Sequence, residues 1–198
     1  MCLLIFIVAK PLSAQVDSGF TKCSFKFNNF IRSIDSLNLD TEILNKRFIE
    51  EEQKWTECIQ NFQVPNFNAI TLNNDSFCLS KINNKVIVMN FWSLNCPPCL
   101  AELGIFSELN QEYNNKDVLF ISIRIDRKSK FKNRPIPKIL TIVDASEILN
   151  LYGITSYPQT FIVAKSHKLK KVFGGASLIN NDKLKKNISF QINEALKE

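Results

Sequence analysis

The sequence predicts an α/β fold in which a central β-sheet is covered by helices on both faces. Residues 86–92 form a nearly continuous apolar run rich in β-branched side chains, which is typical of a strand buried on both faces. A helical pattern and a second buried strand follow this run. A hairpin and a closing helix come last. This alternation of strands and helices favours an α/β architecture.

The composition indicates one globular domain with an extension. The chain has 198 residues, of which 45% are hydrophobic, and it contains 16 Phe but only 5 Gly. The hydrophobic content argues against disorder, and the scarcity of glycine argues against glycine-rich phosphate loops. The net charge is +6, but most of the basic residues are scattered and no nucleic-acid-binding motif is visible. We therefore expect no nucleic acid among the partners.

The first residues resemble an export signal. Residues 2–9 form an apolar run that is too short to span a bilayer but suits the central region of a signal peptide. Leu12-Ser13-Ala14 follows and resembles a small-residue cleavage site. No positive charge precedes the run, and the alternatives are a true start farther upstream or an ordinary buried strand. We expect residues 1–14 to be a signal peptide and the protein to be periplasmic, with membrane association only if the segment is retained.

Residues 15–64 are expected to form an N-terminal extension that is partly helical. Residues 15–39 are weakly patterned. A helix is predicted from Asp40, which can cap it. From there apolar side chains recur at helical spacing, at Leu44, Phe48, Trp55 and Ile59. The sequence does not indicate what the extension does.

The main domain is expected to span residues 65–198. Its predicted strands are 76–79, 86–92, 118–125 and 139–143, followed by a hairpin of 160–163 and 170–173. Helices are predicted from about Pro97, over 147–152 and over 180–197. The apolar side of the first helix is expected to carry Leu100, Leu103, Phe106, Leu109 and Tyr113. Residues 127–137 contain two prolines and five basic residues, so a solvated loop is predicted there rather than a helix.

The motif that indicates chemistry is Asn95-Cys96-Pro97-Pro98-Cys99, which follows the buried strand directly and opens a helix. Two cysteines three residues apart at a helix start lie close enough to form a disulfide. The free N–H groups and the helix dipole stabilise a thiolate at Cys96, and a thiolate is the attacking species in disulfide exchange. Pro97 suits the first helical turn, where a missing N–H costs nothing. The sequence therefore predicts a redox-active pair.

Other uses of the two cysteines fit less well. A zinc site needs further ligands, and the remaining cysteines offer no second close pair. A copper site would favour additional His or Met, but the chain has one His and two Met, so no metal is expected. Two alternatives stay open. One is a thiol peroxidase of a related fold, which would need a lone reactive Cys beside Thr or Arg, and the other is a non-catalytic binding module with a structural disulfide.

Two stretches resemble one known family. Residues 85–102, KVIVMNFWSLNCPPCLAE, resemble the active-site stretch of the TlpA/ResA-like thioredoxins, and residues 153–161, GITSYPQTF, resemble the cis-proline loop of that family. These proteins are extracytoplasmic, mostly reducing thiol–disulfide oxidoreductases of bacteria. The resemblance implies a thioredoxin-like fold over residues 66–198. It also implies exchange with protein thiols and disulfides and with an upstream redox donor, without a bound cofactor.

The resemblance also implies residue roles. Cys96 corresponds to the nucleophile, Cys99 to the resolving cysteine, Glu102 to the carboxylate that follows them and Pro158 to the cis-proline. Glu102 lies one helical turn from Cys99, beside Phe106. Apolar surroundings raise the pKa of a carboxyl, so Glu102 can exchange a proton with Cys99. The residues expected to line the substrate site are Trp92, Pro97, Pro98 and Tyr157, although Trp92 also suits core packing.

The chain departs from the family pattern at several positions. Asn90 stands where many thioredoxins have a buried Asp, Asn95 replaces a frequent Trp, and Gly104 replaces a frequent Pro. Cys23, Cys58 and Cys78 form an odd set outside the motif. One pair could form a disulfide, for example Cys58–Cys78, but the spacing does not decide the connectivity.

Overall fold

The computed structural model describes residues 19–37, 39–128, 138–174 and 181–198. Two expectations therefore lie outside the described residues: the signal peptide over 1–14, and the loop conformation of 129–137 within the basic segment. Of that segment, only Arg127 and Lys128 are described.

Two helices come first in the chain, and strands and helices are interspersed after them, as the sequence predicts for the main domain. The helices are α1 Gly19–Ser33, α2 Thr41–Ile59, α3 Pro97–Glu112, α4 Ser146–Tyr152 and α5 Asn181–Leu196. The strands are β1 Asn68–Ile70, β2 Ser76–Cys78, β3 Val86–Trp92, β4 Val118–Arg124, β5 Leu140–Ile142, β6 Gln159–Val163 and β7 Leu169–Gly174.

A five-stranded mixed sheet forms the centre, with the strand order β5-β4-β3-β6-β7. The central strand β3 pairs parallel with β4 and antiparallel with β6. Strands β1 and β2 form a separate two-stranded antiparallel ribbon. The expected α/β fold with a mixed sheet and flanking helices is confirmed.

Both faces of the sheet are covered, which explains why every residue of β3 is buried. Ile87, Met89 and Phe91 face a core to which α1, α2 and α4 contribute. Val86 and Val88 face a second core built with α3 and α5. Side chains alternate between the two sides of a strand, so an uninterrupted apolar run is needed to fill both cores.

The N-terminal extension is a helical hairpin that packs on the first of these cores. Helix α2 begins after Asp40, whose carboxylate accepts a hydrogen bond from the N–H of Glu42 at 2.8 Å, as the capping prediction requires. Helix α1 occupies the segment that looked weakly patterned. It buries Phe20 and Phe27, and α2 buries Trp55 beside them. The rings of Phe27 and Trp55 stack with centroids 5.1 Å apart.

A disulfide between Cys23 and Cys58 ties α1 to α2 across 35 residues. Cys78 is a free cysteine whose sulfur lies 3.3 Å from the hydroxyl of Ser80. The suggested Cys58–Cys78 pairing is therefore wrong. The sequence could not reveal the true partner because α1, which brings Cys23 to Cys58, was not predicted.

Candidate redox site

The Cys96–Cys99 pair lies where the central strand β3 ends. Trp92 is the last residue of β3, residues 93–95 form a short connection, and α3 begins at Pro97. Cys96 is the N-cap residue of α3 and has an extended backbone conformation. The motif thus occupies a strand-to-helix junction at the carboxyl end of the parallel pair β3 and β4.

The two sulfur atoms form a disulfide, and the Cα atoms are 5.2 Å apart. The backbone N–H of Cys99 donates a hydrogen bond to Sγ of Cys96 at 3.2 Å. Cys96 is partly exposed, whereas Cys99 is only 2% exposed. An external thiol or disulfide therefore meets Cys96 first, and the helix N–H groups stabilise negative charge on that sulfur. Pro97 is exposed beside it and Pro98 is partly exposed.

Glu102 lies in the buried stripe of α3. Its side chain belongs to the set Cys99, Glu102, Ile105, Phe106 and Leu109, and it is 6% exposed. Within the described part of the chain, no hydrogen bond or ion pair to its carboxyl is found. Burial raises the pKa of Glu102 from 4.5 to about 7. A carboxyl with such a pKa is poised to give and accept protons at neutral pH.

The buried side of α3 agrees with the expected one at Phe106, Leu109 and Tyr113 and differs from it at the two leucines nearer the helix start. Leu100 was expected to face inward, but it is 44% exposed, and Leu103 is only partly buried. Cys99 and Glu102 take the inward positions instead. The apolar surroundings expected for Glu102 are thus present, because it shares the buried side of α3 with Ile105 and Phe106.

The peptide bond between Tyr157 and Pro158 is cis, as expected from the resemblance. The next residue, Gln159, starts β6 and pairs with Phe91 of β3. Pro158 therefore lies beside the end of β3 from which the Cys96 connection leaves. Tyr157 is partly buried, and its pKa is raised first by burial and second by the negative charge of Asp126.

A buried ion pair, which was not predicted from the sequence, holds the connection of residues 93–95 between β3 and α3. Arg124, 1% exposed, lies with Nη2 3.2 Å from Oδ2 of Asp126, which is 6% exposed. The Asp126 carboxylate also accepts hydrogen bonds from the N–H of Leu94 at 2.8 Å and from the hydroxyl of Ser93 at 3.4 Å. The one available signal was a charged residue, Arg124, at the end of an otherwise apolar strand, followed two residues later by Asp126.

Trp92 lies inside the protein, beneath this connection. It is 2% exposed, its indole N–H donates to the hydroxyl of Ser122 at 2.7 Å, and the guanidinium of Arg124 lies 4.2 Å from the ring centroid. This burial favours packing over direct contact with a substrate.

Asn90 is also buried, and its amide donates to the hydroxyl of Thr160 at 3.2 Å. Glu102 is therefore the buried acidic group on the helix of the pair, since Glu108 and Glu112 are exposed.

Comparisons with known proteins agree with this geometry. The family model described as Redoxin matches residues 60–188. Thiol-disulfide oxidoreductase ResA from Geobacillus thermodenitrificans is 28% identical over 116 residues, which are 56% of this chain and 67% of the relative. Thioredoxin-like protein YneN from Bacillus subtilis is 26% identical over 119 residues, 57% of this chain and 70% of the relative. The chain thus spans about two thirds of the length of these curated relatives.

A solved structure supports the fold. A thiol:disulfide interchange protein of the thioredoxin family from Chlorobium tepidum superposes with a TM-score of 0.57 at 19% identity. The match covers 68% of this chain and 95% of that one. At this level of identity the likeness establishes the thioredoxin-like fold.

Among the described residues, no group of three His, Cys, Asp or Glu side chains is arranged to hold a metal ion.

Proposed function

The chain belongs to the Redoxin family and has the thioredoxin-like fold of the TlpA/ResA-like proteins, and from that premise we propose that it is a thiol–disulfide oxidoreductase acting on protein partners. One observation carries the proposal. Cys96 is partly exposed and caps α3, its sulfur accepts an N–H hydrogen bond, and it is joined to the buried Cys99. This arrangement suits an attacking sulfur with an internal resolving partner.

We propose that the reaction runs in the reducing direction. In the dithiol form, the Cys96 thiolate attacks one sulfur of a partner disulfide. The partner S–S bond breaks, one partner thiolate leaves, and a mixed disulfide joins Cys96 to the other partner sulfur. The backbone N–H of Cys99 and the other free N–H groups of α3 stabilise the thiolate before attack.

Cys99 completes the exchange. It loses its proton to the Glu102 carboxylate and attacks the Cys96 sulfur, which breaks the mixed disulfide and releases the second partner thiolate. Two electrons have then passed to the partner, and the Cys96–Cys99 disulfide remains. An upstream dithiol donor restores the reduced pair in the same way. The pKa of Glu102, about 7, suits a group that must take up and return this proton.

The partner is proposed to dock where the cis-proline loop and the start of α3 come together. Tyr157 and Pro158 lie beside the end of β3, and Pro97 and Pro98 flank the reactive sulfur. An extended segment of the partner would pair with the backbone beside Tyr157. We assign the catalytic unit to residues 65–198.

We also propose that the protein works in the periplasm after removal of residues 1–14. The apolar run before Leu12-Ser13-Ala14 supports export. The Cys23–Cys58 disulfide supports an oxidising compartment, because structural disulfides are rare in the cytosol. No helix in the described ranges is long and apolar enough to cross a membrane. N-terminal sequencing of the fractionated protein tests this: a start near Gln15 in the periplasmic fraction supports export, and Met1 in the cytosolic fraction contradicts it.

The activity is tested by insulin reduction with dithiothreitol as the electron source, followed by turbidity. The wild type should accelerate precipitation of the insulin B chain, and Cys96→Ser should abolish the acceleration. Cys78→Ser is the matched control because Cys78 is a free cysteine outside the motif. A wild-type rate equal to that of dithiothreitol alone would contradict the proposal and favour a structural role for the pair.

A further inference from the structure

The helical hairpin formed by α1 and α2 contacts the cis-proline loop through a carboxylate. Oε1 of Glu52, on α2, accepts a hydrogen bond from the hydroxyl of Ser156 at 2.6 Å and another from the amide of Gln159 at 3.0 Å. The Gln159 amide also donates to the Ser156 hydroxyl at 3.0 Å. Ser156 and Gln159 stand on either side of Tyr157 and Pro158. One carboxylate thus connects the residues on both sides of the cis peptide bond.

The hairpin also contacts the loop where it begins. Gly153 has φ +74°, and a Cβ added there would lie 2.9 Å from Cβ of Ser24 and 3.2 Å from Nε1 of Trp55. The Ser24 hydroxyl donates to the carbonyl of Tyr152 at 3.3 Å and accepts from the Trp55 indole at 3.2 Å. The chain from 152 to 159 is therefore bounded by side chains of α1 and α2.

The hairpin is itself fixed in place. Glu52, Trp55 and Ile59 follow one another at helical spacing on α2, and Trp55 and Ile59 are buried in the core shared with the sheet. The Cys23–Cys58 disulfide holds α1 against α2 beside them. Glu52 thus extends from a helix that the core and the disulfide hold in place. An acceptor held by a helix that is fixed in this way orders a loop more effectively than an acceptor on a mobile side chain.

We propose that Glu52 is a positioning residue that fixes the cis-proline loop in the conformation that receives the partner protein. The inference rests on the proposed function and adds to it a role for the N-terminal extension. Glu52 acts through Ser156 and Gln159 and leaves the chemistry of the Cys96–Cys99 pair unchanged. Its loss should therefore weaken binding of a protein disulfide without altering the reactivity of the pair toward a small reagent.

The test compares Glu52→Ala, Glu52→Gln and the control Glu50→Ala, which alters an exposed residue of the same helix. Glu52→Ala should raise the KM for insulin about tenfold, the effect of losing roughly one ordinary hydrogen bond that holds the loop. Its kcat and the rate at which dithiothreitol reduces its Cys96–Cys99 disulfide should not change. Glu52→Gln keeps an oxygen that can accept both hydrogen bonds and should restore the wild-type KM. Glu50→Ala should match the wild type.

A second readout separates this inference from the proposed function. Backbone ¹⁵N relaxation measures the order of Ser156 and Tyr157 without any substrate. In Glu52→Ala their order parameters should fall from about 0.85 toward about 0.6, and in Glu52→Gln they should not. Unchanged order parameters together with an unchanged KM would overturn the positioning role. A wild type that does not reduce insulin would overturn the proposed function, and the order parameters alone would then decide the role of Glu52.

Discussion

The carboxylate of Asp126 accepts the backbone N–H of Leu94 at 2.8 Å and thereby joins the end of β4 to the connection that leads into Cys96. The same carboxylate is paired with Arg124 at 3.2 Å, and both side chains are buried. Since β4 neighbours β3 in the sheet, this contact fixes the connection from the side opposite β6. The buried Asp126 carboxylate thus holds in place the connection that leads into Cys96.

Asp126→Asn should destabilise the fold because it leaves the buried Arg124 charge without its carboxylate. Breaking a buried ion pair by removing one partner costs about 3–5 kcal/mol in free energy of unfolding. Urea unfolding of the oxidised protein measures this, and Asp117→Asn, at an exposed position, is the control. The double change Arg124→Met with Asp126→Leu should recover much of the loss. A single variant as stable as the wild type would show that the pair contributes nothing.

Replacing both Cys23 and Cys58 with Ala should lower the free energy of unfolding by about 3 kcal/mol, because the unfolded chain loses a cross-link that closes a long loop. Thermal unfolding measures the change. Cys78→Ala is the matched control, since Cys78 is free. A non-reducing digest should yield a linked peptide containing Cys23 and Cys58. A linked peptide containing Cys78, or equal destabilisation by Cys78→Ala, would contradict the assigned pairing.

Much of the sheet could be predicted from the sequence, because its patterns are local. Strand β3 has the predicted bounds, since its apolar run stops at the Asn83-Asn84 turn and at Ser93. The other strands of the main sheet begin and end within one or two residues of expectation. β1, of only three residues, was missed because its residues alternate in exposure over too short a length to form a pattern.

The spacing of apolar residues predicted the helices less completely than the strands. The buried side of α1 consists of Phe20, Cys23, Ser24 and Phe27, and the neighbouring Phe25 is 62% exposed, so the apolar stripe does not stand out. In α3 the spacing placed Leu100 and Leu103 on the buried side with Phe106 and Leu109, but Leu100 is exposed and Leu103 is only partly buried.

The contacts that complete the candidate site are long-range. Glu52 and Ser156 are 104 residues apart in sequence, and Leu94 and Asp126 are 32 apart. Neither pair lies within one helix or hairpin, so no spacing rule connects its members. The cysteine motif was accessible because its spacing and its place after a buried strand are local, and the cis-proline was accessible through the resemblance of residues 153–161 to a known family.

Glu102→Gln should remove the pH dependence that Glu102 gives to disulfide exchange near pH 7. Burial raises the pKa of this carboxyl, so the carboxylate that can accept the Cys99 proton accumulates only above about pH 7. The amide can neither ionise nor take up the proton. Stopped-flow exchange between pH 5 and 9 should therefore be slower in the variant and lack the inflection. Glu108→Gln, an exposed change on the same helix, is the control. An unchanged pH–rate profile would rule out proton transfer by Glu102.

The same group should make stability depend on pH. The folded pKa of Glu102 lies above the unfolded value of 4.5, so the fold favours the protonated form. Its contribution to stability is fully present below about pH 4.5 and is lost as the pH rises through about 7. Glu102→Gln should therefore raise the Tm of the oxidised protein more at pH 8 than at pH 5. A difference in Tm that does not vary with pH would contradict the raised pKa.

The two cysteines should be distinguishable by trapping. Cys96 is the partly exposed sulfur at the start of α3, and Cys99 is 2% exposed behind it. Attack on a partner disulfide should come from Cys96, and Cys99 should then resolve the mixed disulfide. Cys99→Ser should therefore accumulate covalent complexes with partner proteins on non-reducing gels, and dithiothreitol should dissolve them. Cys96→Ser should form almost none, because the remaining thiol is buried. Equal trapping by both variants, or trapping that disappears with Cys78→Ser, would assign the attack to a different sulfur.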